Sequence, residues 1–294
     1  MRLRKLITIL DKEFHIIQVK DDWSWMFDSL FIEKSCATFR KTLHNTGLVL
    51  KNSDFIQRIY TAFAPSKYIL QQIKNKEIKD VLLIVKHPFD WNGKAQGFIH
   101  FSEQDYALME EMRVSLYSLH TPLDKNRNNT VVSTAQGFAK VIGLHVEEEF
   151  AAEGELNPDL LLGLIGSVKE QQFDHFVKQL SRQLHYSVKT MKINNTVGKV
   201  AIVTGGGFVP HIVREAKEKG VKTYITGIIT PTKSDYDKKY YPKAHKEIEK
   251  IGVNLIGCSH YLTEKWAMIY SLPYFEQFCD SEFIEDKEAL KRLE

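Results

Sequence analysis

The sequence predicts an α/β protein with largely parallel or mixed sheets, and three observations lead there. Short apolar runs of strand length recur, as in Val81-Leu82-Leu83-Ile84-Val85 and Val200-Ala201-Ile202-Val203. Helical patterns of about 10–15 residues separate them, the rhythm of βα units whose helices cover both faces of a sheet. Several runs also end at or next to a histidine or a glycine turn, which is where open α/β sheets place their ligands.

Composition supports a folded chain. At 43 % hydrophobic and 26 % charged residues over 294 positions, it has the balance of a globular protein with room for one large domain or two modest ones. The net charge of +3 comes from 40 basic and 37 acidic residues interleaved along the chain, which argues against a dedicated nucleic-acid module. The densest basic-aromatic stretch, Lys238, Lys239, Tyr240, Tyr241 and Lys243, reads as a solvated helix face. Cys36, Cys258 and Cys279 form no CxxC pair and read as reduced thiols. The apolar start of the chain meets Asp11, Lys12 and Glu13 too soon for a secretory signal, and no apolar run approaches a membrane span, so a cytoplasmic protein is expected.

The elements follow in order. Leu3, Leu6, Ile7, Leu10, Phe14 and Ile17 recur at helical spacing. Residues 20–80 mix aromatics (Trp23, Trp25, Phe27, Phe31) with polar stretches and give no clear period. Val81–Val85 is a buried-type strand ending at Lys86-His87-Pro88. Ser102 is placed to cap a helix running to about Arg113, and Val114–Leu119 alternates as a strand ending at His120. A polar loop, 121–129, precedes a helix over 130–142 with Gly143 as its cap. The acidic stretch 147–159, with Gly154 and Pro158, reads as a connector. It divides the chain into a first half, 1–150, and a second, 151–294. Leu160–Val168 is apolar, Phe173–Leu184 is an amphipathic helix, and 185–193 is a strand. Three strands follow, at Val200–Val203, Val221–Thr226 and Val253–Cys258, with helices ending at Gly220 and Gly252 between them. A last helix begins near Thr263 and is stopped by Pro273.

Three histidines share one context. His87, His120 and His260 each stand just past a strand, and two of them have a carboxylate four residues on, Asp124 and Glu264. Imidazoles and carboxylates together suit Zn, Fe, Mn, Ni or Co better than Ca, and carboxylates can bridge a metal pair. One such histidine alone is more often a capped or surface residue; the five together, all at predicted strand ends, make a shared site as good a reading as that one. Gly205-Gly206-Gly207 could bring backbone amides to a phosphate, but the spacing fits neither dinucleotide nor Walker motifs, and a tight turn is the commoner meaning. Lys125 and Arg127 could contact a substrate phosphate, though loop charges are usually solvated. No nucleophilic triad is evident.

These segments resemble a family. Lys86-His87-Pro88 looks like its His-His-Pro, His120-Thr121-Pro122-Leu123-Asp124 like its His-Thr-x-x-Asp, and Val200 to Gly207 like its strand and glycine turn. Tyr224-Ile225-Thr226-Gly227 resembles its Thr-Gly strand end, and Ser259-His260-Tyr261-Leu262-Thr263-Glu264 its closing Gly-His-x-x-x-Glu. The family is the NIF-three-like dinuclear-metal family, many of whose members carry the label GTP cyclohydrolase type 2 homologue; the likeness covers about residues 40–275. It implies a two-lobed α/β fold without an inserted middle domain, a cleft between lobes holding one or two divalent transition metals, and a ring-shaped homo-oligomer, commonly a hexamer. The implied ligands are His87, His120, Asp124, His260 and Glu264. Three departures stand out: Lys86 replaces the first histidine of the pair, Ile228 stands where many members carry an acid, and Ser259 replaces a glycine. Lys86 is therefore a degenerate ligand or a neighbour of the ligands, and a second ion should be held less well. Two functions fit: a metal-dependent hydrolase of a nucleotide-like or other phosphate-bearing small molecule, or a non-catalytic metal-binding or regulatory interaction protein.

Overall fold

The computed structural model describes residues 1–21, 27–42, 46–92, 97–127, 129–152, 154, 157–230 and 235–293. Trp23, Trp25, Asn128, Glu153, Glu155 and the Lys238 side chain, which enter the readings above, lie outside the described residues. The chain forms two compact units. The first comprises Met1–Asn92, Phe98–Val132 and Met268–Ala289; the second comprises Gly93–Gly97, Ser133–Ala267 and Leu290–Glu294.

In chain order the elements are α1 (Leu3–Glu13), α2 (Ser29–Lys34), α3 (Ala37–Thr42), β1 (Thr46–Leu50), β2 (Arg58–Ala62), α4 (Lys67–Asn75), β3 (Val81–Val85), β4 (Asp90–Asn92), β5 (Gly97–Ile99), α5 (Glu103–Glu111) and β6 (Val114–Leu119). A 3-10 turn, Thr121–Asp124, follows. Then come α6 (Thr134–Ile142), β7 (His145–Ala152), β8 (Leu161–Ser167), α7 (Phe173–Leu184), β9 (Lys189–Met191), β10 (Lys199–Val203), α8 (Pro210–Glu218), β11 (Val221–Thr226), α9 (Asp235–Ile251), β12 (Asn254–Gly257) and α10 (His260–Tyr270). The chain closes with α11 (Leu272–Phe275), β13 (Asp280–Phe283) and α12 (Ala289–Leu293).

The first unit is built on a five-stranded sheet of order β1-β6-β3-β2-β13. β3 is its centre: all five residues are buried, because parallel neighbours flank it on both edges and its two faces are covered. Each such Val, Leu or Ile contributes about 1.5–3 kcal/mol by burial, so this strand fixes the sheet. β1 joins β6 antiparallel, whereas β2, β3, β6 and β13 run parallel. Ser66 caps α4 by accepting the Ile69 amide, and Ser102 caps α5 in a reciprocal box with Asp105, as the sequence predicts for Ser102. β4 and β5 pair as a short separate ribbon.

The second unit carries a six-stranded sheet of order β7-β8-β10-β11-β12-β9. Its centre, β10-β11-β12, is parallel, and β8 and β9 border it antiparallel, so both sheets are mixed. Ser133 caps α6, and Gly143 ends it at φ 67, the left-handed cap expected there. The first part of the acidic stretch expected as a connector, 147–152, is instead strand: β7 makes an antiparallel hairpin with β8, from His145↔Ser167 to Ala152↔Leu161. Gly166 makes this possible, since a Cβ there would lie 2.0 Å from the His145 carbonyl oxygen. Residues 133–150 consequently belong with the second sheet, and β13 brings 268–289 back to the first, where the halves 1–150 and 151–294 would have put each on the other side.

Candidate metal centre

In the first unit, register builds the ligand group. β3 and β6 are adjacent and parallel with Val85 opposite Ser118. Two residues further along, that register sets His87 beside His120, and their rings lie 5.0 Å apart between centroids. The pairing with β2 also outlasts the strand, since the Lys86 and His87 amides donate to the Ala62 and Phe63 carbonyls at 3.3 and 3.0 Å. His87 is buried between Phe63 and Trp91, at 4.7 and 4.9 Å between ring centroids.

His120 is held by a residue that the sequence does not single out. Its Nδ1 is 2.7 Å from Oδ2 of buried Asp21, which also accepts the Thr121 amide at 2.9 Å. Burial pushes the Asp21 carboxyl up, but the adjacent imidazole and the hydrogen bonds from His120 and Thr121 outweigh it and hold the group below its ordinary value. A carboxylate on Nδ1 fixes the ring's orientation and assigns Nε2 to any metal. Asp124, at the end of the 3-10 turn, does not stand open. Its Oδ2 lies 2.7 Å from the Lys86 ammonium, which also donates to the His120 carbonyl at 2.8 Å.

In the second unit, three parallel strands end together. β12 leads through Cys258 and Ser259 into α10, which begins at His260, three residues before the expected start. His260 and Glu264 are one turn apart, with Nε2 and Oε2 at 3.2 Å. The turn after β10 packs against them. A Cβ on Gly205 would lie 2.2 Å from Oε1 of Glu264 and 2.8 Å from Nε2 of His260. Gly205 has φ 61, and its amide donates to Thr263 Oγ1 at 3.0 Å. Its carbonyl accepts the amides of Gly227 and Ile228, at 3.1 and 3.2 Å, locking the end of β11 onto the same turn. Gly207 is likewise required by packing, since its Cβ would meet Val203 at 2.5 Å, whereas Gly206 faces open space.

The structure thus brings His87 to His120 and Lys86 to Asp124 in one unit, and His260 to Glu264 in the other. The donor chemistry fits a transition metal, and the missing Cβ of Gly205 leaves the second group the space to present both ligand atoms. Sequence reasoning misses Asp21 and Thr263 because neither carries a spacing signal; Asp21 lies 99 positions from the histidine that it holds.

The family model described as Duf34/NIF3 (NGG1p interacting factor 3) matches residues 31–285. The chain belongs to the Duf34/NIF3 family. A relative of this Duf34/NIF3 member in Borreliella burgdorferi, named GTP cyclohydrolase 1 type 2 homolog, is 26 % identical over 256 residues, covering 87 % of this chain and 92 % of the relative. Among solved structures, TTHA1606 from Thermus thermophilus is similar at TM-score 0.66 and 18 % identity, covering 97 % of this chain and 98 % of its own. The Staphylococcus aureus hypothetical protein SA1388 gives TM-score 0.66 at 18 % identity, with 97 % of both chains covered. These two likenesses establish the fold of this Duf34/NIF3 member. Among the described residues, no helix is long and apolar enough to cross a membrane.

Proposed function

We propose that this Duf34/NIF3 protein binds a divalent transition metal through His87, His120, His260 and Glu264, with Asp124 alongside, and hydrolyses a nucleotide-like or other phosphate-bearing small molecule. The observation that carries the reading is the His260–Glu264 pair set against Gly205, where only glycine leaves room for both ligand atoms. The name of the Borreliella burgdorferi relative, GTP cyclohydrolase 1 type 2 homolog, supports nucleotide chemistry as the first to test. A bound Zn, Fe, Mn, Ni or Co ion would supply a water acidified toward neutral pH and a Lewis acid for a phosphoryl or carbonyl oxygen. The chain's own residues do the rest. Asp21 holds His120 in one tautomer, Thr263 anchors the glycine turn beside Glu264, and Trp91 and Phe63 wall His87 from solvent. An anionic substrate group would rely on Gly206 and Gly207, since the Gly205 amide is already engaged, and Lys125 and Arg127 are further candidates to meet it. However, Arg127 already donates to the Lys125 and Pro122 carbonyls.

The second reading, a non-catalytic metal-binding or regulatory protein, is favoured by one observation: the Lys86 ammonium ties up the carboxylate of Asp124. Turnover decides between them. Metal-loaded protein should hydrolyse GTP or a simple phosphoester, and Glu264→Ala should lower both metal content and rate by about 100-fold or more. Unchanged turnover in that variant would remove the assignment, and no turnover by the loaded parent would leave the non-catalytic reading. The active particle is proposed to be a homo-oligomeric ring, a hexamer by family resemblance.

A further inference from the structure

We infer that Lys86 is a built-in cation that takes the place of a second metal ion, so that this chain holds one divalent ion where its family is dinuclear. The inference rests on the metal-binding reading above, and it concerns residues of the first unit alone. Lys86 leaves the end of β3 with its backbone still paired to Ala62, so its position is fixed by the sheet. Its side chain is 2 % exposed, and its Nζ donates to Asp124 Oδ2 at 2.7 Å and to the His120 carbonyl at 2.8 Å. An ammonium so deeply buried is tolerable only with acceptors close by, and both of these come from one short segment, 120–124. That segment is the one that also offers the His120 ring and the Asp124 carboxylate as ligands. A positive charge therefore already sits within hydrogen-bond distance of a carboxylate of the proposed ligand set.

A dication arriving at Asp124 would face two alternatives, both unfavourable. It could displace the ammonium, which would take the carboxylate away from a deeply buried charge. Otherwise it could share the carboxylate with the ammonium, and repulsion between like charges a few ångströms apart is poorly screened at so buried a position. The ammonium cannot join the coordination sphere, since it has three donors and no lone pair. The imidazoles of His87 and His120 remain as this unit's donors to the one ion of the metal-binding reading. The ion pair also has a positive role. It neutralises Asp124 and ties the 3-10 turn to β3, so that the turn behind His120 is ordered before any metal arrives.

Counting metal tests this directly. The full chain is stripped with chelator, loaded with excess Zn2+ or Mn2+, desalted, and measured by elemental analysis against protein concentration. One ion per unmodified chain and two in a folded Lys86→His variant are the expected results. Two ions in the unmodified chain would overturn the inference while leaving the metal-binding reading intact. None would overturn that reading and the inference with it. One ion in both proteins, with circular dichroism showing the variant folded, would show that Lys86 is not what excludes the second ion. Should Lys86→His fail to fold, Lys86→Gln gives the same comparison. Removing the ammonium should tighten the second binding step in a Zn2+ titration by about tenfold or more, and an unchanged titration would overturn the inference.

Discussion

Ser259 has φ 76, a left-handed backbone that favours glycine, at the position where this chain departs from the family's glycine. The conformation is imposed: the Ser259 amide donates to the Gly227 carbonyl at 2.8 Å while α10 begins one residue later. Its hydroxyl offers partial compensation by accepting the Leu262 amide at 3.4 Å, a long capping bond. A left-handed non-glycine residue costs about 1–2 kcal/mol, whereas exchanging a serine cap for glycine costs a few tenths and glycine's extra unfolded freedom about 0.5–1 kcal/mol. Ser259→Gly should therefore stabilise the protein slightly, by about 0.5 kcal/mol, and Ser259→Ala, which keeps the strain and loses the cap, should destabilise it by about 0.5 kcal/mol or more. Urea midpoints of the three proteins check the order, and a less stable glycine variant would show that the hydroxyl matters more than the backbone. At this scale the sequence is informative wherever chemistry and position coincide. His87, His120 and His260 are visible because each follows an apolar strand run, and Asp124 and Glu264 because each stands four residues further on. Asp21 is not visible, because its role depends on a contact made across 99 positions from a segment without hydrophobic period.

Elements are legible where burial imposes a pattern and obscure where solvent or ion pairing takes its place. β3 and β10 announce themselves as apolar runs because their residues are buried between neighbouring strands, and β6 announces itself by alternation. β7 does not, since Glu147, Glu148 and Glu149 lie at the sheet edge; Glu148 pairs there with Lys199 and Lys219 at 3.2 and 3.1 Å. Charges on an edge strand discourage pairing with other chains, and they also disguise the strand as a linker. β13, Asp280-Ser281-Glu282-Phe283, is equally disguised, being recruited to β2 with Arg58 meeting Asp280 and Lys76 meeting Glu282. The packing of α1 on β6 yields a pH prediction. Tyr117 is fully buried and donates to Asp11 Oδ1 at 2.7 Å. Burial pushes the Asp11 carboxyl up, and the hydrogen bond from Tyr117 only partly offsets this. A raised folded value means that the group's contribution to stability is fully present below the unfolded value of about 3.9 and is lost as pH rises through the folded one. Asparagine keeps the acceptor and removes the charge. Asp11→Asn should accordingly unfold at a higher temperature than the parent at pH 7, with the difference closing near pH 3. A variant less stable at pH 7 would show that the charged hydrogen bond outweighs desolvation.

At the scale of the whole molecule, the alternation of strands and helices foretells an α/β protein with largely parallel or mixed sheets but not which segments share a sheet. The return of β13 to the first sheet depends on parallel pairing between segments more than 200 positions apart, such as Arg58 with Asp280, and no local pattern carries it. Assembly is the remaining question at this scale, and the surface offers a handle on the proposed ring. Ile17 is 85 % exposed and Phe55 is 55 % exposed, both in the first unit, while Val146 and Ile193 in the second are each 43 % exposed. Single apolar residues on a surface are ordinary, but closed oligomers bury such residues at the centre of their interfaces. Light scattering at micromolar concentration should give a particle several times 34.0 kDa, near six times for a hexamer. A double variant, Ile17→Glu with Phe55→Glu, separates assembly from folding. Exposed positions away from caps and ion pairs change stability by no more than about 0.5 kcal/mol, so each chain should stay folded by circular dichroism while charge repulsion lowers the mass of the particle. A stable 34.0 kDa monomer in the parent protein would remove the ring. A variant that keeps the parent's mass would place the interface on other surfaces, with the edge strands β1, β7 and β9 as the next to be tested.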